Sequence, residues 1–369
     1  MAEDFGAMSY DTAMLIHLVT NLKTAQSFLL DTFFPNVVMS DTESVAIDVD
    51  IGLRRLAPFV SPLVEGKLVE QRRYQTNWFK PAYIKDKRAP DLRKPIRRMI
   101  GERLMGVMSP GEREMLNLQA ELADQVDMIT RRLEWMASQV LQTGTVTVQG
   151  DGYPTCLVDF GRDAGLTVAK TGTGQWTAAN CAAGNASPTF DIEFAQRLIL
   201  KLTGATVTDI VFTTSAWEGF IADPLLKGAT IFPQLVLAGN VMNIGAQIAR
   251  GAIMKGNWGQ YRLWLYNDWY IDSGTEGGTL DKEYPIIPDG GVVVSGPMME
   301  GTRGFGVILD PDHNYSNLPM APKTWVMPDP AQRYIMMQSS PIIIPARVNA
   351  CCYINACPSL FTGSFAEAA

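Results

Sequence analysis

The sequence predicts an α+β protein of two or three domains, arranged around one long helix. Its length of 369 residues fits that number of domains, and apolar residues make up 47% of the chain, enough for hydrophobic cores. Between residues 109 and 142 the apolar residues recur about every 3.6 positions, which is the α-helical period. Shorter segments on both sides alternate apolar and polar residues, as β-strands do. The apolar stripe of the helix consists of Met115, Leu118, Leu122, Val126, Ile129, Leu133, Met136 and Val140.

Chemical signals mark both ends of the long helix. Ser109 and Glu112 have the spacing of a capping box, Pro110 takes the first helical position, and Gly144 follows the last periodic residue. About 33 residues at ~1.5 Å each give a rod of about 50 Å. A helix with one apolar side requires a sheet or a partner along that side. The opposite face carries the polar residues Glu121, Asp124, Asp127 and Arg131.

The segments before the long helix predict an arm and a loop. Residues 12–34 have the pattern of a short amphipathic helix, and Val45–Ile51 alternates as a strand within an acidic arm. Residues 66–74 and 77–84 predict two more strands in a hairpin-like excursion that runs from residue 59 to residue 95. This excursion has too few large apolar residues for a core of its own, so we expect it to lie on another subunit or to stay mobile.

The segments after the long helix predict a strand pair at 145–149 and 155–160, then a second domain at 190–319 that mixes helices and strands. The nearly continuous apolar stretch 331–344 predicts one strand, either buried on both faces or long and central, which returns to the first domain and packs under the long helix. The predicted elements of the second domain are helices at 190–203 and 216–226 and strands at 209–213, 261–271 and 292–294.

Charge is distributed unevenly along this acidic chain. The net charge of −7 argues against general affinity for nucleic acid. Residues 54–103 carry a net charge of +9, whereas residues 1–53 carry −7 and residues 104–369 carry −9. A basic segment between acidic ones favours contacts between copies of the chain, and the alternative is a solvated basic loop. On the first interpretation, the candidate inter-subunit residues are Arg72, Arg73, Lys85, Lys87 and Arg88.

Composition favours a protein that is made and used in a cytoplasm. No apolar run approaches the ~18 residues of a membrane helix. The first residues are acidic where a secretory signal is basic. Five cysteines, an odd number, argue against a disulfide framework.

Candidates for catalysis or metal binding are few. The two histidines, His17 and His313, lie in different contexts, and His313 with Asp310 and Asp312 fits a polar turn better than a metal site. The cysteines lack zinc-ligand spacing, and no G-x-S-x-G, H-E-x-x-H or Rossmann fingerprint is present. The Gly-rich residues 171–174 lack the Lys-Ser/Thr pair of a phosphate-binding loop. The sequence therefore predicts neither an enzyme nor a cofactor.

Four motifs occur in a fixed order along the chain: Phe59 to Gly66, Phe79 to Lys85, Gly301 to Gly306, and Trp325 to Pro341. With the long helix between the second and the third, they resemble the major capsid proteins of lambda-like tailed bacteriophages, the phage major capsid protein E family. In that family the first two belong to the entry into an extended loop, the third to a Gly-rich turn and the fourth to a closing strand. The resemblance spans most of the chain.

This resemblance implies a Hong Kong 97-like capsid fold. The expected segments are an N-terminal arm at 1–57, an extended loop at 58–100, a peripheral domain at 101–189 with its spine helix at 109–142, an axial domain at 190–319, and a return strand of the peripheral domain at 320–369. In this fold the axial domain meets its copies around the symmetry axes of the capsomers.

The resemblance also implies a structural protein of the virion. The expected role is a subunit that self-assembles in the host cytoplasm, as hexamers and pentamers, into an icosahedral shell around double-stranded DNA, without sequence-specific binding. Expected partners are a scaffolding protein, a portal and a decoration protein, and no cofactor is expected. The alternatives are an encapsulin-like nanocompartment shell of the same fold and a ligand-binding module that forms no capsid.

Overall fold

A computed structural model describes residues 27–51, 56–68, 73–91, 93–97, 109–150, 153–226, 247–249, 251–271, 283–329 and 332–357. Helices and strands are mixed along these residues, which confirms the α+β prediction. The described α-helices are α1 (Phe28–Phe33), α2 (Pro110–Thr143), α3 (Ala178–Ala182), α4 (Pro188–Leu202) and α5 (Thr214–Ile221). The described strands are β1 (Asn36–Met39), β2 (Val45–Ile51), β3 (Arg73–Phe79), β4 (Ile84–Arg88), β5 (Thr145–Gly150), β6 (Tyr153–Asp159), β7 (Thr167–Ala169), β8 (Asp209–Phe212), β9 (Gln247–Ala249), β10 (Ala252–Trp258), β11 (Tyr261–Leu265), β12 (Trp269–Ile271), β13 (Glu283–Pro285), β14 (Gly291–Ser295), β15 (Gly301–Phe305), β16 (Ala321–Met327), β17 (Gln332–Ser339), β18 (Pro341–Pro345) and β19 (Cys352–Asn355).

The long helix α2 begins and ends where the sequence predicts. The Glu112 side chain accepts a hydrogen bond from the Ser109 backbone N–H at 2.7 Å, and the Ser109 hydroxyl accepts one from the Glu112 backbone N–H at 3.3 Å. Gly144 ends the helix in the left-handed conformation, with φ of 74°, which glycine adopts without steric cost. None of the described helices, α2 included, is long and apolar enough to cross a membrane.

The helix α2 buries its predicted stripe and also a second, polar face. Seven of the eight predicted apolar residues are buried, and Met115, near the start, is 37% exposed. The second buried face was not predicted, because its side chains are polar and those of Glu134, Ser138 and Gln142 bind groups far away in sequence. It consists of Thr130, Glu134, Ser138 and Gln142. Gln125 is buried on the other side of the apolar stripe, where its amide donates to the Asp86 carbonyl at 3.2 Å.

A three-stranded sheet, in the order β1-β15-β18, lies beside this helix. Strand β1 runs parallel to β15, β15 is antiparallel to β18, and β18 contacts α2. A small apolar cluster, formed by Val45, Ile342 and Ile344 with partly buried Phe79 and Phe160, joins the sheet to the bases of β2 and β3. The sheet therefore holds the acidic arm and the extended loop at one place.

The predicted closing strand at 331–344 is two strands, and the prediction of one strand was wrong. β17 pairs with β16 and β4, whereas β18 pairs with β15, so the chain changes sheet at Ser340. An apolar run cannot reveal such a change, because both strands are largely buried. The expected packing under the long helix is confirmed, since α2 contacts β17 and β18.

A seven-stranded sheet, in the order β7-β19-β14-β8-β11-β10-β9, forms the second layer of the protein. Every residue of β8 and β14 is buried, and α4 packs against β14 and α5. The strand β19 comes from the segment 320–369 and β7 from the segment 101–189, so this sheet is not confined to residues 190–319. The segment boundaries that the resemblance implies remain a prediction.

The strands of the extended loop differ from their predicted positions. The strand β2 matches the predicted Val45–Ile51. Of the predicted strand 66–74, residues 69–72 lie outside the described residues and residues 73–74 begin β3. The predicted strand 77–84 is divided between the end of β3 and the start of β4. These strands do not pair with each other: β3 pairs with β2 of the arm, and β4 pairs with β17. Their register is set by partners distant in sequence, which local alternation cannot identify.

Other predicted elements are confirmed or shifted. The strand pair after α2 is present as β5 and β6. The predicted strand at 261–271 is divided into β11 and β12, and the predicted helix at 216–226 is α5, shifted toward the N-terminus. Of the predicted helix at 12–34, residues 12–26 lie outside the described residues, and α1 forms its end.

Candidate assembly surface

Strands β2 and β3 form a two-stranded ribbon that is anchored at one end. Val45 pairs with Phe79 at the base, and Ile51 pairs with Arg73 at the far end. At the base Val45 is buried, and the Phe79 ring lies 5.1 Å from the Phe160 ring, centroid to centroid. Six residue steps at about 3.3 Å place the far end about 20 Å from the base.

Residues 56–68, which we call the tip segment, continue from the ribbon and expose large apolar side chains. They contain no helix or strand, and their described hydrogen bonds are local, from the Val64 backbone N–H to the Ser61 carbonyl and from the Leu63 N–H to the Ser61 hydroxyl. Isolated exposed apolar residues are ordinary, but a cluster in one unsupported segment indicates a contact site. Four side chains are at least 94% exposed: Leu56, Phe59, Leu63 and Leu68.

Strand β4 divides the predicted basic residues between two faces. Arg88 lies against α2, where its guanidinium binds Glu121 at 3.0 Å, Asp124 at 2.6 Å and Asp86 at 3.0 Å. Burial lowers the pKa of Arg88, but its hydrogen bonds to Glu121 and Asp124 outweigh that effect and raise it. Lys94 binds Glu121 at 2.8 Å, and this bond, the largest contribution, lowers the pKa of Glu121. The polar face of α2, opposite the apolar stripe, is therefore partly covered by the base of the extended loop.

Lys85 and Lys87 lie on the opposite, exposed face of β4. The Lys87 ammonium lies 4.3 Å from the centroid of the Tyr334 ring and 5.3 Å from that of Trp325. The Lys85 ammonium lies 5.0 Å from the centroid of the Tyr83 ring. Such cation–π contacts orient the lysine stems along the sheet while their charged ends remain accessible.

One predicted contact residue, Arg73, lies at the far end of the ribbon. Arg73 is the first residue of β3 and pairs with Ile51, and Arg72 lies outside the described residues. The structure thus brings Lys85, Lys87 and Arg88 together on one strand and gives Arg88 partners within its own chain. The inter-subunit role of all five residues remains a prediction.

Glu134 anchors α1 to the long helix, a role that the sequence did not reveal. Its carboxylate is 2% exposed and accepts hydrogen bonds from the backbone N–H groups of Leu29 at 2.8 Å and Leu30 at 3.0 Å, and from the Tyr266 hydroxyl at 3.0 Å. Burial raises the pKa of Glu134 to about 7, and these hydrogen bonds offset the burial only in part. The Phe28 ring adds contacts at 5.0 Å from Trp264.

The turn at residues 310–313 forms a network of hydrogen bonds around Asp310. Asp310 accepts hydrogen bonds from Lys323 and Gln338, each at 2.8 Å, and Gln338 accepts one from Tyr83 at 2.7 Å. Burial raises the pKa of Asp310, but its hydrogen bonds to Lys323 and Gln338 bring it down to about 2. Within the described residues, no group of three or more His, Cys, Asp or Glu residues could hold a metal ion. These hydrogen bonds connect the base of the extended loop to β16 and β17.

Four of the five cysteines are buried, and one of the two histidines lies outside the described residues. Cys181, Cys351, Cys352 and Cys357 are buried, whereas Cys156 is exposed. Burial raises the pKa of Cys352 to about 12, so this thiol stays protonated and is a poor nucleophile. His17 lies outside the described residues.

Comparison with known proteins gives a consistent result. Residues 11–356 match the family described as Phage major capsid protein E. The chain is 26% identical over 341 residues to the major capsid protein of Escherichia phage N15, which covers 91% of this chain and 96% of that protein. It is 25% identical over 341 residues to the major capsid protein of Escherichia phage lambda, with the same coverage. A crystal structure of a prophage capsid protein from Escherichia coli CFT073 superposes with a TM-score of 0.68 at 20% identity, covering 94% of this chain and 98% of that one.

These matches confirm the predicted fold and the predicted kind of protein. The superposition extends over nearly the whole chain, so the fold is that of a Hong Kong 97-like capsid protein. The family consists of structural proteins of phage heads, which agrees with the prediction that the chain is not an enzyme. Because the family match covers far more than half of the sequence, the chain belongs to the phage major capsid protein E family.

Proposed function

We propose that this chain is the subunit of an icosahedral head shell of a tailed phage, in which copies form hexamers and pentamers around double-stranded DNA. The observation that carries the proposal is the family match over residues 11–356. The physical support is the tip segment, in which four apolar side chains are at least 94% exposed.

The exposed tip fits a shell because it belongs to a contact between unlike surfaces. Burying a large apolar side chain stabilises a contact by about 1.5–3 kcal/mol, so burial of four such side chains strongly favours association. When the tip of one copy lies on a different surface of the next, the contact repeats from copy to copy. Repeated contacts of this kind close into rings when the rotation allows it.

The charge of the chain is suited to a container for DNA. A net charge of −7 gives little general attraction to the phosphate backbone, so the packaged genome is held without sequence-specific contacts. We also propose the partners of such a shell: a scaffolding protein during assembly in the host cytoplasm, a portal at one vertex, and a decoration protein on the finished head. The family match favours this role over an encapsulin-like compartment.

Electron microscopy and analytical ultracentrifugation of the purified chain test the proposal. At micromolar concentration, with a scaffolding protein supplied where needed, we expect capsomer rings or closed particles. A strictly monomeric species across protein and salt concentrations, with scaffold present, would contradict the proposal. Particles with portal and DNA from phage-producing cells would separate a phage head from a nanocompartment.

A further inference from the structure

The strand β1 is an exposed apolar edge. It pairs on one side with β15 and is the last strand of its sheet among the described residues. All four of its residues are exposed, and Val37, Val38 and Met39 are between 42% and 51% exposed. An edge strand without charged residues or proline is a template for pairing with another chain, and proteins usually protect such edges. This edge therefore lacks a partner within the described part of the chain.

The tip segment contains a short stretch that matches this edge. Phe59, Val60 and Ser61 lie between Pro58 and Pro62, which cannot donate a backbone hydrogen bond. The two prolines limit a strand here to about three or four residues, and β1 has four. Within the described residues, the backbone N–H groups of Phe59 and Val60 have no acceptor.

The two features belong to different copies of the chain. In its own subunit Phe59 is fully exposed, so it does not cover β1. The strand β1 lies at the base of the ribbon, where the Ser40 backbone N–H donates to the Phe305 carbonyl, and the ribbon extends about 20 Å from that base. A contact between tip and edge therefore joins one copy to the next.

Charges next to the two features are complementary. Asp41 and Glu43 lie within four positions after β1. Arg54 and Arg55 precede the tip segment, and Lys67 lies near its end, where Glu65 offsets one positive charge. Opposite charges at the border of an apolar contact favour the correct register and the correct partner.

We propose that residues 59–61 of one copy add as a strand to the outer edge of β1 of a neighbouring copy. This inference rests on the proposed shell function and names the surface that receives the tip. It makes the tip and the edge two halves of one contact between unlike surfaces.

Disulfide crosslinking in assembled particles tests the geometry. In a Cys156→Ser background, Val38→Cys and Val60→Cys on the same chain should give a ladder of crosslinked oligomers on a non-reducing gel, because each chain then links to two neighbours. The control pair, Leu157→Cys with Val60→Cys, uses an apolar position on β6 that is more exposed than Val38 and should give no ladder. Particles that form normally without a ladder, or with the same ladder in the control, would overturn the proposal.

A second variant keeps the test independent of crosslinking chemistry. Val38→Lys places a charge on the exposed edge and should raise the protein concentration needed for assembly about tenfold or more. Leu157→Lys should leave it unchanged, and both variants should melt like the parent subunit. If particles form but Val38→Lys assembles like the parent, this inference fails while the shell function stands. If the parent forms no particles with scaffold present, the proposed function itself fails.

Discussion

The C-terminal half of α2 and the tip segment that follows the β2–β3 ribbon differ in the burial of their apolar side chains. In the C-terminal half of α2 almost every apolar side chain is buried within the same chain. The polar side chains of Glu134 and Ser138 also have hydrogen-bond partners within that chain. At the base of the ribbon Val45 is buried, whereas four apolar side chains of the tip segment are at least 94% exposed. The difference separates two tasks: α2 stabilises the subunit, whereas we propose that the tip stabilises contacts between subunits.

Ile129→Asp should have the largest effect, because it disrupts the buried stripe of α2 that stabilises the fold. Ile129 is buried in the centre of the apolar stripe. An unpaired buried carboxylate costs several kcal/mol, comparable with the whole stability of a domain. We expect insoluble protein, whereas Met128→Asp, at an exposed neighbouring position, should stay soluble. Soluble particles of normal size from Ile129→Asp would show that the stripe does not support the core.

Replacement of both Phe59 and Leu63 by Ser should impair assembly without destabilising the subunit. Each side chain is fully exposed in the subunit, so the unfolding midpoint should change little. Loss of about 1.5–3 kcal/mol per buried side chain at every contact should prevent particle formation at micromolar concentration. Sedimentation and circular dichroism measure the two properties separately. The control is Val326→Ser, at an exposed apolar residue of β16, and equal assembly of both variants would contradict the assignment.

The contribution of Glu134 to the stability of the subunit depends on pH, unlike that of the apolar side chains around it. Its folded pKa of about 7 lies above the ordinary value of 4.5, so between these values the folded chain binds more protons than the unfolded chain. Stability should therefore rise as pH falls from 8 to 5, by up to about 3 kcal/mol from this group.

The measurement is the free energy of unfolding of parent and Glu134→Gln, by denaturant titration at several pH values. The neutral amide cannot titrate, so the difference between the two proteins should carry the pH dependence. Glu121→Gln serves as control, because the pKa of Glu121 is lowered and the group stays ionised in this range. Parallel pH curves for parent and Glu134→Gln would refute the role of Glu134.

Adjacent residues of β4 should behave differently. Arg88→Gln removes three charged contacts to Asp86, Glu121 and Asp124 and should destabilise the subunit by about 1–2 kcal/mol. Lys87→Gln, on the exposed face, should cost less than about 0.5 kcal/mol. Chemical denaturation measures both, and equal losses would mean that the two faces of β4 are not distinct.

The smallest effect per contact is expected from Arg72→Glu with Arg73→Glu. Exposed ion pairs contribute about 0–1 kcal/mol each, but a shell repeats every contact many times. Assembly should slow while the subunit stays folded, and added salt should weaken parent assembly in the same way. Light scattering across salt concentrations follows both. Unchanged kinetics and salt dependence in the double variant would favour the alternative of a solvated basic loop.

The amino-acid sequence alone determined the elements whose signals are local. The bounds of α2 follow from Ser109, Glu112, Pro110 and Gly144, and β2 follows from its own alternation. The exposed tip was also foreseeable, because the loop has too little apolar material for a core. These features depend on neighbours within a few positions, which capping and periodicity describe well.

Only the tertiary structure decided which distant segments meet. Local pattern did not show that β3 pairs with the acidic arm, that the chain changes sheet at Ser340, or that Arg88 binds α2 of its own chain. Nor did it distinguish Glu134, which binds the backbone of α1 more than 100 residues away, from the other acidic residues of the same helix. Strand register and buried polar contacts depend on partners remote in sequence, and a one-residue shift reverses which face of a strand is buried.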